Sequence, residues 1–205
     1  MPTPVRVVFE GELKPILRKL VGTLLNIGGG SMSYREWTPA EMVNLDLMPG
    51  PDVDVVADLS RELPFVDCSF DHVLCTSVLE HVSQPEQVVS EIRRVLKPGG
   101  RLVLYVPYLF PVHPDPRDYW RFSPDGLDVL CSDLKPVKRI AVGGPFLLIA
   151  NILYLKLSQR LPHRLRHKWG RLMGSLAVRL DSMSRDADRW ASGWLWVLDK
   201  VRRTG

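Results

Sequence analysis

A chain of 205 residues, 45% hydrophobic and 24% charged, has room for one domain with a substantial core, and this composition excludes disordered and fibrous classes. Cys68, Cys75 and Cys131 form an odd set without C-x-x-C spacing, so neither a disulfide framework nor a cysteine-held zinc site is expected, and no metal site is predicted. The formal charge of +4 is uneven: from Phe146 onward twelve cations face four carboxylates, a formal +8, while residues 1–145 hold 15 and 19, a formal −4.

Residues 1–15 lack the unbroken apolar stretch of a secretory signal, and with the free cysteines this predicts a cytoplasmic protein. Short apolar runs then alternate with helical patterns, the rhythm of a parallel sheet covered on both faces. Residues 23–27, 42–45, 53–57, 70–75 and 101–106 read as strands. Residues 84–96 read as a helix, with Val88, Ile92, Val95 and Leu96 on one face and Pro98-Gly99-Gly100 as its stop. Ser123-Pro124 opens a further helix to about Cys131 by the N-cap and first-turn preferences.

After a strand at 137–142, Gly143-Gly144-Pro145 breaks the chain and the nearly all-apolar residues 146–157 follow. Spanning a bilayer takes roughly 20 such residues, so this segment is a buried or an interfacial helix. Residues 160–180 are helical in pattern and strongly basic. Residues 191–198, with Trp194, Trp196 and Val197, fit either a strand or a helix end, and a strand is favoured. The expectation is a single α/β domain over 1–205, a Rossmann-like doubly wound sheet, mostly parallel with an antiparallel last strand. A basic helical insertion over 145–185 precedes that strand. The basic end is either a solvated face or a surface for anionic lipid, glycan or nucleic acid.

Functional signals begin at Asn26-Ile27-Gly28-Gly29-Gly30, where glycines let the backbone turn sharply and lie against a ligand. A glycine cluster alone is also compatible with a plain tight turn. Asp46, ending the second strand, offers a carboxylate that can accept bonds from two ribose hydroxyls. Ser33 stands where a G-x-G-x-x-G turn needs glycine, which weakens a dinucleotide reading.

Further ordered motifs follow: Asn44-Leu45-Asp46, Ala57-Asp58-Leu59, Leu63-Pro64-Phe65, Ser69-Phe70-Asp71, Val78-Leu79-Glu80-His81 and Leu96-Lys97-Pro98-Gly99-Gly100. Across residues 24–107 this order resembles the class I S-adenosylmethionine methyltransferases of the small-molecule, ubiquinone-biosynthesis-like type. The resemblance implies S-adenosyl-L-methionine as cofactor, with Gly28 and Gly30 beside its methionine part and Asp46 on its ribose. It further implies Asp58 with Leu59 at the adenine edge, and the backbone at Cys75, Thr76 and Ser77 near its amino-acid end. The chain departs from the family at Asn26, usually acidic, and at Met32, often glycine. Asn26 keeps an acceptor for the cofactor's ammonium group but loses the charge.

Residues 107–122 form a proline-stiffened loop at the carboxyl edge of the sheet, where open α/β folds bind ligands. This loop resembles a subset of bacterial methyltransferases of glycan and lipid-linked sugar pathways. A hydroxyl acceptor needs a base, and the candidates are His113, placed first by position, His81 and Asp118. Each has a plainer reading: His81 as a helix cap, His113 as a loop brace, Asp118 as the ion-pair partner of Arg117 or Arg121. Arg117 and Arg121 are candidates for holding a phosphate or carboxylate of the substrate, and Tyr119 for stacking on a sugar. The expected partner is therefore a small-molecule or glycan-linked acceptor, and no nucleic-acid reader motif is present. Residues 146–157 are left with three roles: packing on the domain, making a homodimer of an otherwise monomeric chain, or docking peripherally on an anionic membrane.

Overall fold

The chain begins with a helix, α1 (Pro4–Leu17), because Thr3 caps it by accepting the Arg6 amide at 3.2 Å and Pro4 supplies a preset first turn. Val5, Phe9, Leu13 and Leu17 recur every four residues and are buried. The computed structural model describes residues 3–30, 33–160 and 162–202.

Then follow β1 (Thr23–Ile27), β2 (Glu41–Asp46), the two-residue β3 (Val55–Val56) and β4 (Phe70–Thr76). Next come α2 (Pro85–Val95), β5 (Leu96–Pro107), α3 (Pro124–Leu130) and β6 (Leu134–Val142). The chain finishes with α4 (Pro145–Leu157), α5 (His163–Asp181) and β7 (Gly193–Lys200). One seven-stranded sheet results, in the order β3-β2-β1-β4-β5-β7-β6. β1 to β5 pair in parallel, and β7 lies antiparallel between β5 and β6, so the expected mixed sheet with a reversed last strand is observed.

Strand alternation divides the core. Leu25, Ile27, Val73, Cys75, Leu102, Leu104 and Trp196 face α2 and α3, while Leu24, Leu74, Val103 and Leu195 face α1. Ile92 of α2 is wholly buried in the first layer, and burying such a side chain stabilises by about 1.5–3 kcal/mol. On the opposite face α1 also packs on α4 and α5 through Val5, Leu147, Ala150 and Ala177.

Several sequence expectations shift. The strand expected at 53–57 shrinks to two residues, since it lies at the sheet edge and pairs only with β2. β5 starts at Leu96 rather than Arg101: Leu96 pairs with Phe70, and an irregular register to His72 carries the chain through Pro98-Gly99-Gly100. Gly99 sits at φ +81°, and a Cβ on Gly100 would lie 2.8–2.9 Å from the carbonyls of Lys97 and Asp71, so this glycine pair serves a strand bulge and not only a helix stop. Between β1 and β2 the described residues contain a single 3-10 turn (Arg35–Trp37), and α1, which the sequence reading did not anticipate, covers that face instead.

The helical stretch expected over 145–185 consists of α4 and α5. Asp181, at the end of α5, accepts the backbone amides of Gly144, Phe146 and Leu147 at 2.9–3.2 Å and so satisfies the open N-terminus of α4. α4 buries Leu147, Ala150, Asn151 and Tyr154 and leaves Phe146, Ile149, Ile152, Leu153 and Leu157 exposed. Among the described residues no helix is long and apolar enough to cross a membrane.

Candidate active site

The carboxyl ends of β1, β2, β4 and β5 open into a cavity of about 580 Å³. At one end it is walled by Gly28, Asp46, Asp58, Leu59, Thr76, Ser77 and Val78, and at the other by His81, Phe110, His113, Asp115, Pro116 and Tyr119. Thr3, Val5, Arg6 and Phe9 of α1 close a third side. This N-terminal wall was missed from sequence. Its signal, an apolar i, i+4 series behind a Thr-Pro cap, was present but short.

At the first end the glycines are required by contact. Gly28 has φ +76°, and a Cβ there would lie 2.4 Å from Cγ2 of Val78. A Cβ on Gly30 would lie 2.7 Å from Oδ2 of Asp46, whose carboxylate accepts the Gly30 amide at 2.9 Å and the Met48 amide at 3.1 Å. Those two bonds occupy about half of a carboxylate's lone-pair capacity, leaving acceptor sites for a ligand. Asp58 accepts the Ser60 amide at 2.9 Å, and this bond holds its carboxyl below the usual range.

Two predicted cofactor residues do not reach the cavity. Gly30 turns its amide to Asp46. Asn26 is 1% exposed beneath the loop and donates through Nδ2 to Oδ1 of Asn44 at 3.0 Å. The alternation of β1 places Asn26 under the glycine turn. Met32 lies outside the described residues. Two residues further along the chain, Tyr34 lines the cavity and is buried enough that its hydroxyl pKa is raised.

At the second end the loop after β5 folds back over the segment after β4. The amides of Tyr119 and Trp120 donate to the Glu80 carbonyl at 2.7 and 3.3 Å, and the Trp120 indole donates to the Val82 carbonyl at 2.9 Å. His81 donates from Nδ1 to the Arg117 carbonyl at 2.5 Å, and His113 from Nδ1 to the Pro111 carbonyl at 3.0 Å. The carbonyl partners identify Nδ1 as the donor in each ring and leave Nε2 directed toward Glu80.

Asp118 is corrected as a candidate base. Its carboxylate, 3% exposed, receives Arg121 at 2.5 and 2.7 Å and the His113 amide at 2.9 Å, and the Arg121 guanidinium holds it far below the usual carboxylate range. Arg121 is thereby taken from substrate binding: it also donates to the carbonyls of Phe110, Pro111 and Trp120 and braces the loop. Arg117 does not line the cavity and stands beside the Tyr119 hydroxyl at 3.4 Å. Tyr119, His81 and His113 do line it. Glu80, quoted above only as part of a motif, has a wholly buried side chain, and burial raises its carboxyl to about 8.

Residues 25–104 match the family model described as a methyltransferase domain. The strand order, the reversed β7 and the cavity at the strand ends accompany that match. Over residues 25–104 the chain is similar to methyltransferase domains. An uncharacterized methyltransferase of Mycolicibacterium vanbaalenii is 36% identical over 104 residues, 43% of this chain and 41% of that protein. The chain thus spans under half the length of the curated relatives it matches.

Among solved structures, the chain resembles the [4+2]-cyclase SpnF, with a TM-score of 0.63 and 17% identity over 97% of this chain and 81% of that one. It also resembles the Burkholderia thailandensis 1,6-didemethyltoxoflavin-N1-methyltransferase, solved with S-adenosylhomocysteine, with a TM-score of 0.60 and 17% identity over 98% and 79%. At these identities the likeness is one of fold, and a fold alone does not set chemistry.

Proposed function

We propose that the chain transfers a methyl group from S-adenosylmethionine to a hydroxyl of a small-molecule, glycan-linked or lipid-linked acceptor. The observation that carries this reading is one cavity with a glycine-and-carboxylate end, Gly28, Asp46 and Asp58, and an imidazole end, His81 and His113. The residues fit the donor: Gly28 leaves the backbone bare where a side chain would collide, and Asp46 retains acceptor capacity toward the cavity. The donor, when bound, supplies a methyl group on a positively charged sulfur. Asp46 holds ribose hydroxyls, Asp58 and Leu59 meet the adenine, and the backbone from Gly28 to the turn at Thr76 accommodates the amino-acid portion.

Methyl transfer needs acceptor and methyl held in line, and the cavity walls perform that positioning. His113, with His81 beside it, presents an unprotonated Nε2 to a hydroxyl acceptor. Tyr119 stacks on the acceptor body. Asp46→Ala is expected to remove most binding of S-adenosylhomocysteine measured by calorimetry. Tight binding of NAD with none of the methionine nucleoside overturns the proposal.

A second reading, a binding or scaffold protein without turnover, is favoured by Asn26, whose side chain is tied to Asn44 and brings no charge to the cavity. Labelled methyl incorporation into cell extract that depends on Asp46 rules it out.

A lipid-linked acceptor is supported by a second, shallow depression of about 500 Å³ that shares Phe110 and Tyr119 with the main cavity and extends to Leu148 and Ile152 of α4. The exposed apolar residues of α4, with Lys156, Arg160, Lys168 and Arg171 nearby in the chain, would place that depression at an anionic membrane surface from the cytoplasmic side. Cosedimentation with anionic vesicles at low salt is the expected result, and unchanged sedimentation removes the membrane arm.

A further inference from the structure

Glu80, His81 and His113 meet where the segment after β4 touches the loop after β5. Oε1 of Glu80 lies 3.7 Å from Nε2 of His81 and 3.9 Å from Nε2 of His113, and one ligand atom from each residue can be chosen with all three within 4.8 Å of one another. The two rings stand edge to face at 5.0 Å between centroids. Glu80 is wholly buried, and neither of its carboxylate oxygens has a hydrogen-bond partner among the described residues. Leaving such a group unmatched costs a large desolvation penalty.

Each imidazole is turned the same way. Both donate Nδ1–H to a backbone carbonyl, with Asp118 a further 3.4 Å neighbour of the His113 ring, so both Nε2 lone pairs face the carboxylate. Both Nε2 atoms and Oε1 of Glu80 converge without a hydrogen bond among them. The gaps are too wide for direct hydrogen bonds. They suit an atom placed between, because ligands at about 2.0–2.2 Å from one metal lie roughly 3–4.4 Å apart. A histidine held by a carbonyl on its far nitrogen is also the usual outer support of a metal ligand.

We infer that Glu80, His81 and His113 form a binding site for one divalent transition-metal ion at the acceptor end of the cavity. The donor set, two imidazoles and one carboxylate, is that of zinc, manganese, iron or cobalt rather than calcium or magnesium. His81 and His113 line the cavity while Glu80 lies behind them, so the ion's open positions face the acceptor. There it would hold an acceptor oxygen and lower its pKa so that the hydroxyl gives its proton to solvent water before methyl transfer, with the two histidines serving as ligands. The binding site does not rest on the methyl-transfer reading, although its use on an acceptor does.

The test uses the untagged full chain, stripped with chelator and titrated with Co²⁺. One equivalent is expected to produce a visible ligand-field band and raise the melting temperature. His113→Ala and His81→Ala are expected to weaken Co²⁺ binding at least tenfold and to lose the band. His113 is partly exposed and its substitution is compatible with folding, so it carries the test even if Glu80→Gln does not fold. The absence of a stoichiometric band, or a band of equal affinity in H113A, overturns the site. S-adenosylhomocysteine binding, measured on the same samples without metal, separates failure of this site from failure of the donor reading.

Discussion

The two ends of the cavity are built differently. The end with Gly28, Asp46 and Asp58 is made by strand ends, and its bonds join residues 2 to 16 apart: Asp46 with Gly30 and Met48, Asp58 with Ser60. The end with His81 and His113 is made by two loops that contact each other, and its bonds join residues about 30 to 40 apart: His81 with Arg117, Trp120 with Val82, Tyr119 with Glu80. The first end therefore survives as long as the sheet does. The second depends on a charged brace, Asp118 with Arg121, that keeps the acceptor loop in place.

The sharpest way to break this comparison is Asp118→Ala. It leaves Arg121 without its carboxylate and the His113 amide without its acceptor, and each charge-assisted hydrogen bond so lost costs about 1.5–3 kcal/mol. Chemical denaturation should show that loss or a separate early transition of the loop, while S-adenosylhomocysteine affinity stays nearly unchanged. An equal loss of nucleoside affinity would mean that the two ends are not independent.

Asp46→Ala is the converse. Losing hydrogen bonds to a charged group, worth about 1.5–3 kcal/mol, should weaken nucleoside binding by roughly ten- to a hundredfold in calorimetry, with a smaller change in stability. A smaller effect is expected for Gly28→Ala, which forces a side chain into a left-handed backbone and onto Val78, at about 1–2 kcal/mol of stability. Combining it with Val78→Ala should recover the collision part and leave the backbone part.

The smallest effect is a pH dependence of the sheet itself. Asp71 accepts the Thr23 amide and hydroxyl at 2.9 Å and the Lys97 ammonium at 2.9 Å, and these bonds, the Thr23 amide foremost, hold its carboxyl down at about 2. A depressed carboxyl stabilises the fold above its unfolded value near 3.8, and the contribution is lost as pH falls from there through about 2. The group is more than a third exposed, so screening limits the contribution to under about 1 kcal/mol. Urea midpoints for the intact chain and Asp71→Asn should converge toward pH 2 and differ at pH 6.

The contrast also separates what was readable in the residues. β1, β2 and β4 follow from short apolar runs and α2 from its apolar helical face, β7 is the favoured of two readings, and Ser123 caps α3 where the Ser-Pro pair places it. Gly28, Asp46, Asp58, Leu59 and Thr76 come to the cavity because each sits at the end of, or just after, a strand, and strand ends are legible in a linear pattern. Asn26 differs for a related reason: it lies just before that loop on β1, but side chains alternate across a strand, and its own points beneath the loop to Asn44.

The linear pattern therefore determined the strands, most helices and which glycines and carboxylates stand at strand ends, because those depend on neighbours a few residues away. Only the tertiary structure decided that α1 walls the cavity, that Arg121 braces a loop, and that Asp118 is saturated. It likewise decided that a buried Glu80 faces two imidazoles 32 residues apart in the chain, one adjacent to it and one across the acceptor loop. Those facts rest on which loop closes over which strand end, and burial and pairing between such distant segments leave no periodic mark in the residues themselves.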